Sequence, residues 1–554
     1  LKRGLGTVTV ENTAAELDSR PLIRSDVEDR PMATTKEMLA LETRLVDFAR
    51  NSRGRCRPLG DPNRPCSREW FNEGQKAAVR HILGSRDRVM VIRGVAGTGK
   101  TTLEQEIGEA LAAAGRPVVA LAQSVKASRE VLRQEAGFAN ADTVARFLKD
   151  QAMQESAREG VILVDEASLV GTRDMQNIFA VADEQNARVV LVGDRKQHRS
   201  VTAGEPLKLL EERAGLPVAE VTEILRQEGD YKKAAKALSE GRTEEAFDEL
   251  DKLGWIKQQS EEDRNQLLAA AYLSAVKEKK KPGELKTALI VSPTHTEGDQ
   301  ITSAIREGLK ARGSLDGERL VDAWIPAHLT DAEKSDPTQY APGDLVQFQQ
   351  NAKGFVKGAR VVVSDGETVP VDQANRFDVF RPVQLPLAVG DRIRITGGGK
   401  TQDGKHRLSN GSLMTVQGFT GRGDIVVDHG WVIDRHWGHI AHGYVVTSHA
   451  SQGMTVDKVF VGLSSQSLPA TNQRTAYVAV TRGKEQAQIF TDDRYELLRA
   501  MKRLDSPISA TELAEKPTPS RGRRTRRGVG PLIPGNNAKL PMNVSYETHA
   551  GDRP

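Results

Sequence analysis

The segment GVAGTGKT, Gly94 to Thr101, combines glycines, a lysine and a hydroxyl at the spacing that wraps backbone around phosphate oxygens. Gly94, Gly97 and Gly99 let the chain approach an anion closely, so that amide N–H groups and the positive end of the following helix face it. Lys100 is expected to reach the β- and γ-phosphates and Thr101 to hold Mg²⁺, with Val95, Ala96, Thr98 and Thr102 completing the cradle. A second chemical signal lies downstream, where the apolar run GVILV ends in Asp165 and Glu166. Carboxylates at the carboxyl edge of a parallel sheet beside a phosphate loop have a defined use. Asp165 would bind Mg²⁺, directly or through water, and Glu166 would orient and deprotonate an attacking water.

These groups need a rigid frame, and the hydrophobic pattern supplies one. Short runs rich in Val and Ile recur between helical stretches: VMVIRGV at 89 to 95, PVVALA at 117 to 122, GVILVDE at 160 to 166 and ARVVLVGD at 187 to 194. Such runs read as strands of a parallel sheet covered on both faces. A second set comprises TALIVSPT at 287 to 294, HGYVVTSH at 442 to 449, KVFVGLS at 458 to 464 and QAQIFTD at 486 to 492. Between the halves of that set, from about 340 to 440, glycine-rich turns separate alternating segments such as GDLVQFQ and GDRIRITGGGK, a texture that predicts a small inserted β-barrel. The expected organisation is a lead over 1–66 with one helix from Thr35 to about Ala49, a first α/β domain over 67–215, a second over 216–339 and 441–505 carrying the barrel, and an Arg/Pro/Gly-rich tail over 506–554 without a stable fold.

Composition sets bounds on partners and compartment. With 38% hydrophobic and 28% charged residues the chain is an ordinary folding composition, and a net charge of +4 over 554 residues means that any nucleic-acid site must be a local groove. The two cysteines, Cys56 and Cys66, have no Cys or His partners at zinc spacing, and no apolar run reaches the length of a membrane span. A cytoplasmic protein is expected. The chain begins at Leu1 in place of Met, which suggests a piece of something longer.

The segment LVGDRKQHRSV at 191 to 201 resembles motif III of superfamily-one helicases, and further matches follow: NEGQKAAV at 72 to 79 is similar to the adenine-reading Q motif, TEILRQ at 222 to 227 to motif IV, HGYVVTSHASQGMT at 442 to 455 to motif V and AYVAVTRGK at 476 to 484 to motif VI. The set resembles the RecD-like branch. GDRKQHRSV, together with TTKEMLALETRLVDFA at 34 to 49, narrows the likeness to the helicase part of conjugative relaxases of the TraI/TrwC kind, over residues 33 to 500. The His cluster and nicking tyrosines of that family's relaxase domain have no counterpart, so nicking is not carried over. The resemblance implies an α/β fold of two RecA-like P-loop NTPase domains, with an SH3-like β-barrel inserted in the second. It implies ATP with Mg²⁺ as cofactors, single-stranded DNA and duplex junctions as partners together with other conjugation proteins, and 5′-to-3′ translocation. By residue, Gln75 would read adenine, Gln197 would sense the γ-phosphate, and Arg226 and Arg482 would reach that phosphate from the second domain.

For the strand itself the resemblance points to Thr447, His449, Ser451 and Gln452 in the second domain and to Ser124, Lys126 and Thr143 in the first. Alternatives stand beside each. His449 could be an internally bonded histidine, Gln452 a relay of nucleotide state, and the Ser and Thr residues helix caps. Lys400, Arg392 and Arg394 of the inserted barrel are candidate backbone contacts or plain hairpin chemistry, and RGRRTRR at 521 to 527 would add salt-sensitive DNA affinity. Aromatic residues at 5% are too few for a passive stacking platform. The rival readings are a RecD-like repair or recombination helicase, a nucleotide-controlled clamp that does not unwind, and a P-loop nucleotide kinase.

Overall fold

A computed structural model describes residues 10–27, 30–281, 283–364, 369–504 and 507–515. The apolar runs around the phosphate loop form a six-stranded, wholly parallel sheet in the order Asp142–Thr143, Val118–Ala122, Val161–Val164, Arg188–Gly193, Val89–Gly94, Val218–Val221. Strands Val161–Val164 and Arg188–Gly193 are buried throughout, as a sheet covered on both faces requires. The strand carrying Gly94 and the strand ending before Asp165 are separated by one neighbour, Arg188–Gly193, which delivers Asp194 and Gln197 between them.

The first domain and the lead differ from expectation. The sixth strand, Val218–Val221, pairs with Val89–Gly94 and carries the first domain past residue 215. The lead is also more structured than a single helix: a helix Val10–Ser19 and a hairpin of Leu22–Val27 and Arg30–Thr35 precede the helix Lys36–Asn51. Thr35 caps that last helix by accepting from the Met38 N–H, and Leu45, Val46 and Ala49 join the core of the first domain.

The second sheet is again all parallel, in the order Val445–Val446, Ala288–Val291, Val456–Leu463, Gly483–Thr491, Ile256–Gln258. Helices Glu261–Ala275 and His295–Ala311 cover one face through Leu268, Tyr272 and Ile305, while Gln473–Val480 and Arg494–Lys502 cover the other.

The insertion begins earlier than residue 340 and contains antiparallel sheets of four and five strands, with a two-stranded ribbon of Gly399–Lys400 and Arg407–Leu408. Strands Asp316–Pro326, Phe377–Val389, Leu345–Phe348 and Arg360–Val362 make the first, and Trp431–Ile433, Ile425–Val427, Leu413–Phe419, Arg392–Ile395 and Ile440–His442 make the second. After the second domain the chain returns to the first. The helix Ala510–Glu515, in a region expected to lack structure, is held by the buried Glu42 carboxylate, which accepts from the N–H groups of Ala510 and Thr511 and from the Thr511 hydroxyl. RGRRTRR lies outside the described residues. Among the described residues no helix is long and apolar enough to cross a membrane.

Candidate nucleotide site and strand-contact face

The phosphate loop has the backbone its glycines predict. Gly97 and Gly99 sit at φ of +81° and +75°, and Gly99 opens the helix Lys100–Ala113. At Gly97 a Cβ would come 2.8 Å from the Arg226 side chain. Lys100 folds over the loop, its Nζ donating to the Gly94 carbonyl at 3.0 Å, and the Thr98 hydroxyl donates to Val95 O at 3.0 Å. Across the loop, Asp165 accepts the Glu166 N–H at 2.7 Å, with Glu166 itself in the left-handed region at φ +47°. That conformation is uncommon for a non-glycine residue and turns Glu166 out of the strand direction.

Burial, followed by the neighbouring Glu166 charge, pushes the Asp165 carboxyl up to about 6, against the opposing pull of Lys100. Glu104, one helical turn beyond Lys100, is fully buried beside it. Burial and the Asp165 charge raise its carboxyl well above the usual range, so Glu104 is the neutral member of the pair. Sequence reasoning missed Glu104; its signal was a carboxylate at a helix position flanked by the core residues Leu103 and Ile107. Asp165 and Glu166 line this site together with Lys100, Arg226 and Arg482, and Asp165 offers the carboxylate oxygen that a divalent cation takes. Mg²⁺ takes one or two protein carboxylates and completes its shell with water and phosphates. Asp165 and Thr101 both line the cavity and would be the residues to hold it.

The cavity in front of the loop, about 120 Å³, is closed by two arginines. Arg482 comes from the second domain and is 1% exposed, its guanidinium donating to Val478 O, Met454 O and the Thr481 hydroxyl. Arg226 does not come from the second domain, contrary to expectation. It leaves the last strand of the first sheet, its backbone N–H and that of Leu225 both donate to Gly97 O, and its guanidinium reaches Thr481 O at 2.8 Å. Burial, with Arg482 next, brings the Arg226 guanidinium down to about 10.

Gln75 is fully buried, closes a capping box with Asn72, and donates through Nε2 to Thr98 O at 3.2 Å, so it braces the phosphate loop from the helix before it. Gln197 lines the cavity, its amide donating to Asp194 at 3.3 Å. Further side chains bridge the domains at this point. The Tyr477 hydroxyl accepts the Ala96 N–H of the phosphate loop at 2.9 Å and donates to Asp194 at 2.8 Å. Gln452 donates to the Glu166 carboxylate at 2.9 Å. Tyr477 was not singled out in the sequence, although it stands inside AYVAVTRGK.

The strand-contact candidates divide. Ser124, Thr143 and Thr447 each cap a helical turn through the side-chain oxygen, accepting from Ala127, Arg146 and Ala450. Lys126 opens the π-helical segment Lys126–Glu135. Ser451 is fully buried and its hydroxyl donates to Ser448 O at 2.7 Å, so it is withdrawn from any strand contact in this arrangement. His449 is exposed and stacks at 3.7 Å on His198, which itself bonds Ser448 at 2.7 Å. In the insertion Lys400 is exposed, while Arg392 lies within 3.5 Å of the Tyr272 hydroxyl and burial lowers the Arg394 guanidinium.

A two-domain P-loop ATPase, with arginines closing the phosphate pocket, is the class that this geometry defines. Comparison with known proteins agrees. Residues 70–261 match the AAA domain family. The chain is 26% identical over 495 residues to the Multifunctional conjugation protein TraI of Escherichia coli, covering 77% of this chain and 28% of that protein. It is 27% identical to the Probable conjugal transfer protein TraA of Sinorhizobium fredii, covering 82% and 36%, and 32% identical over 167 residues to the ATP-dependent RecD2 DNA helicase of Deinococcus radiodurans, covering 29% and 22%. Among solved structures, Pif1 helicase from Bacteroides in complex with ADP-AlF3 and ssDNA aligns with a TM-score of 0.42 at 16% identity, covering 76% of this chain and 92% of that one. The chain is thus similar to RecD-like superfamily-one helicases and to the TraI and TraA conjugation proteins. It spans about a third of the length of those conjugation relatives.

Proposed function

We propose that the chain is an ATP-dependent DNA helicase that translocates 5′ to 3′ on single-stranded DNA, serving as the helicase portion of a conjugative relaxase in plasmid transfer. The observation that carries this reading is the joint between the domains. Arg482 from the second domain lines one pocket with Lys100 and Glu166 from the first, and Gln452 of the second domain donates to Glu166, so hydrolysis and relative domain position are tied together. Lys100 and the loop amides bind the phosphates, Glu166 takes the proton of the attacking water, and the arginines stabilise charge that spreads over the phosphoryl oxygens. Mg²⁺, when bound by Asp165 and Thr101, neutralises phosphate charge. Gln452 lies in the same segment as Thr447 and His449, which makes it the route by which the state of Glu166 reaches the strand. The five-stranded sheet of the insertion is read as the SH3-like unit over that strand, and conjugation proteins are the proposed protein partners.

Replacing Lys100 by Ala should abolish DNA-stimulated ATP hydrolysis while single-strand binding persists. Unwinding should start from a 5′ tail. Wild-type turnover in the Lys100→Ala variant, or unwinding from 3′ tails alone, would contradict the assignment, and hydrolysis without unwinding of any tailed duplex would favour a clamp.

A further inference from the structure

The loop that carries Gln197 into the nucleotide cavity is held at both ends by one helix of the other domain. It runs from Asp194, where the strand Arg188–Gly193 ends, to Glu205, which stands directly before the helix Pro206–Arg213. Opposite it lies the helix Gln473–Val480 of the second domain. Tyr477 bonds Asp194 at one end of the loop. Arg474, one turn earlier on the same helix face, bonds Glu205 at the other, Nη1 to Oε1 at 2.5 Å.

Neither Arg474 nor Glu205 lines the nucleotide cavity. Both are largely buried, with side chains 13% and 10% exposed, and Glu205 Oε2 is buried without a hydrogen-bond partner of its own. A carboxylate so placed needs a cation, and the cation it has belongs to the other domain. Arg474 Nη1 also lies 3.5 Å from the Gln197 carbonyl oxygen, the outer limit of a hydrogen bond. One guanidinium nitrogen therefore sits between the far end of the loop and the backbone of the residue whose side chain lines the cavity.

Both sides of this contact are firmly mounted. Asn472 caps the second-domain helix by accepting the Thr475 N–H, and Gln473 donates to Gly241 O at 3.1 Å and to the Thr243 hydroxyl at 2.9 Å, so Arg474 travels with that domain. In the first domain the Thr172 N–H donates to Ala203 O at 3.1 Å, and at Gly204, with φ +93°, a Cβ would come 1.8 Å from the Thr172 hydroxyl. Between the fixed ends the stretch around Gln197 is gripped from the second domain. The His198 ring bonds Ser448 and stacks on His449. A displacement of the second domain pulls on Gln197 directly.

We propose that Arg474 is a positioning residue for ATP hydrolysis: through Glu205 and the Gln197 carbonyl it sets the Gln197 side chain in the cavity when the two domains are closed on each other. The inference rests on the helicase reading above. When the domains part, both charges regain water, so the pair forms and breaks with the stroke and does not lock the joint.

The test measures steady-state ATP hydrolysis at saturating single-stranded DNA in the 554-residue chain, for Arg474→Ala, Arg474→Lys, Gln197→Ala and the double variant Arg474→Ala/Gln197→Ala. Arg474→Ala should lower kcat by about 30-fold or more, the lower end of the effect of truncating one member of a buried charge pair. KM for ATP should stay within about twofold, because Lys100 and the loop amides are untouched. Arg474→Lys keeps the charge and should recover most of the loss. A residue that acts through Gln197 adds little once that side chain is gone, so the double variant should turn over within about threefold of Gln197→Ala alone. A larger further loss would show that the ion pair only holds the domains together, and would overturn the inference. Glu205→Gln removes the charge at constant shape and serves where Arg474→Ala does not fold; it should lower kcat with KM unchanged, and a raised KM with parental kcat would count against the proposal. If the parent is stimulated by DNA and Arg474→Ala keeps parental kcat, this inference falls and the helicase reading stands; no stimulation of the parent would overturn both.

Discussion

Replacing Tyr477 by Phe removes one oxygen from the most buried point of the domain interface. That hydroxyl accepts the Ala96 N–H at 2.9 Å and donates to the Asp194 carboxylate at 2.8 Å, and neither Tyr477 nor Asp194 is more than 1% exposed. Burial raises the phenol well above its ordinary range, so it remains a neutral donor at every working pH. Asp194 keeps the Lys196 N–H and the Gln197 amide, which softens its loss. Among the described residues the Ala96 N–H has no other partner. Leaving a buried N–H unpaired costs about 1–3 kcal/mol, and loss of a hydrogen bond to a charged group a comparable amount, of which part is recovered because the phenol is no longer desolvated. A net loss of about 1–3 kcal/mol is expected. Because the bridge joins the two domains, the loss falls on their closed arrangement more than on either core. At about 1.4 kcal/mol per tenfold, DNA-stimulated turnover should drop by about 5- to 150-fold. Single-strand affinity in the absence of nucleotide should change by less than about threefold, since no strand-contact candidate bonds to Tyr477. Steady-state ATP hydrolysis at saturating DNA, paired with anisotropy, reads both quantities. Turnover within twofold of the parent would refute the view that this hydroxyl registers the domains on each other.

Ser451→Ala should leave single-strand affinity unchanged and lower stability by about 1 kcal/mol, because the hydroxyl is bonded internally; a severalfold loss of DNA binding at unchanged melting temperature would restore it to the contact face. Asp165 gives a pH dependence with a fixed sign. Its folded value, about 6, lies above the ordinary 3.8, so the folded state binds the extra proton between those limits. In the absence of metal, stability should therefore fall as pH rises from about 4 to about 6, relative to an Asp165→Asn variant, while Mn²⁺ affinity should rise over the same window. Calorimetric melts of the two chains across that range check the first statement, and a difference curve that is flat or rises with pH would count against it.

The parts of this molecule that read clearly in sequence are those where one residue type has one use. Glycines at left-handed positions, a lysine at the helix start and two carboxylates after a Val/Ile run each report a backbone requirement or a charge that the core would not tolerate without cause. The parts that did not read clearly are set by tertiary partners. Gln75 and Arg226 are polar residues whose bonding depends on which backbone carbonyl lies opposite, Thr98 and Thr481 here, and no local pattern encodes that. Ser451 differs from its exposed neighbour His449 only by which side of a four-residue turn it occupies. The insertion was placed too late because Asp316–Pro326 shows few buried positions along eleven residues and takes its place by pairing with Phe377–Val389, some sixty residues away. The edge strand Ile256–Gln258 has one buried residue, which is no signal at all.

The polar interface between the domains also bears on how such a joint moves. Gln197, Gln227 and Gln452 each donate through the side-chain amide, to Asp194, to the carbonyls of Thr481 and Gly483, and to Glu166 respectively. Each leaves its side-chain carbonyl oxygen buried without a partner. Lys100 bonds a carbonyl of its own loop and Arg482 the carbonyls of its own domain, so the strongest cations of the pocket are held by acceptors that a triphosphate outcompetes in charge. A joint of this kind is closed but incompletely satisfied. Three unpaired acceptors at about 1–3 kcal/mol each offset much of what the crossing hydrogen bonds contribute, so the two domains can part at modest cost. Rearrangement around a bound anion can then be driven by differences of a few kcal/mol, the scale on which nucleotide binding acts. An apolar interface of the same size would hold the domains more firmly and respond less to charge. A motor whose stroke is set by phosphate contacts needs the former arrangement.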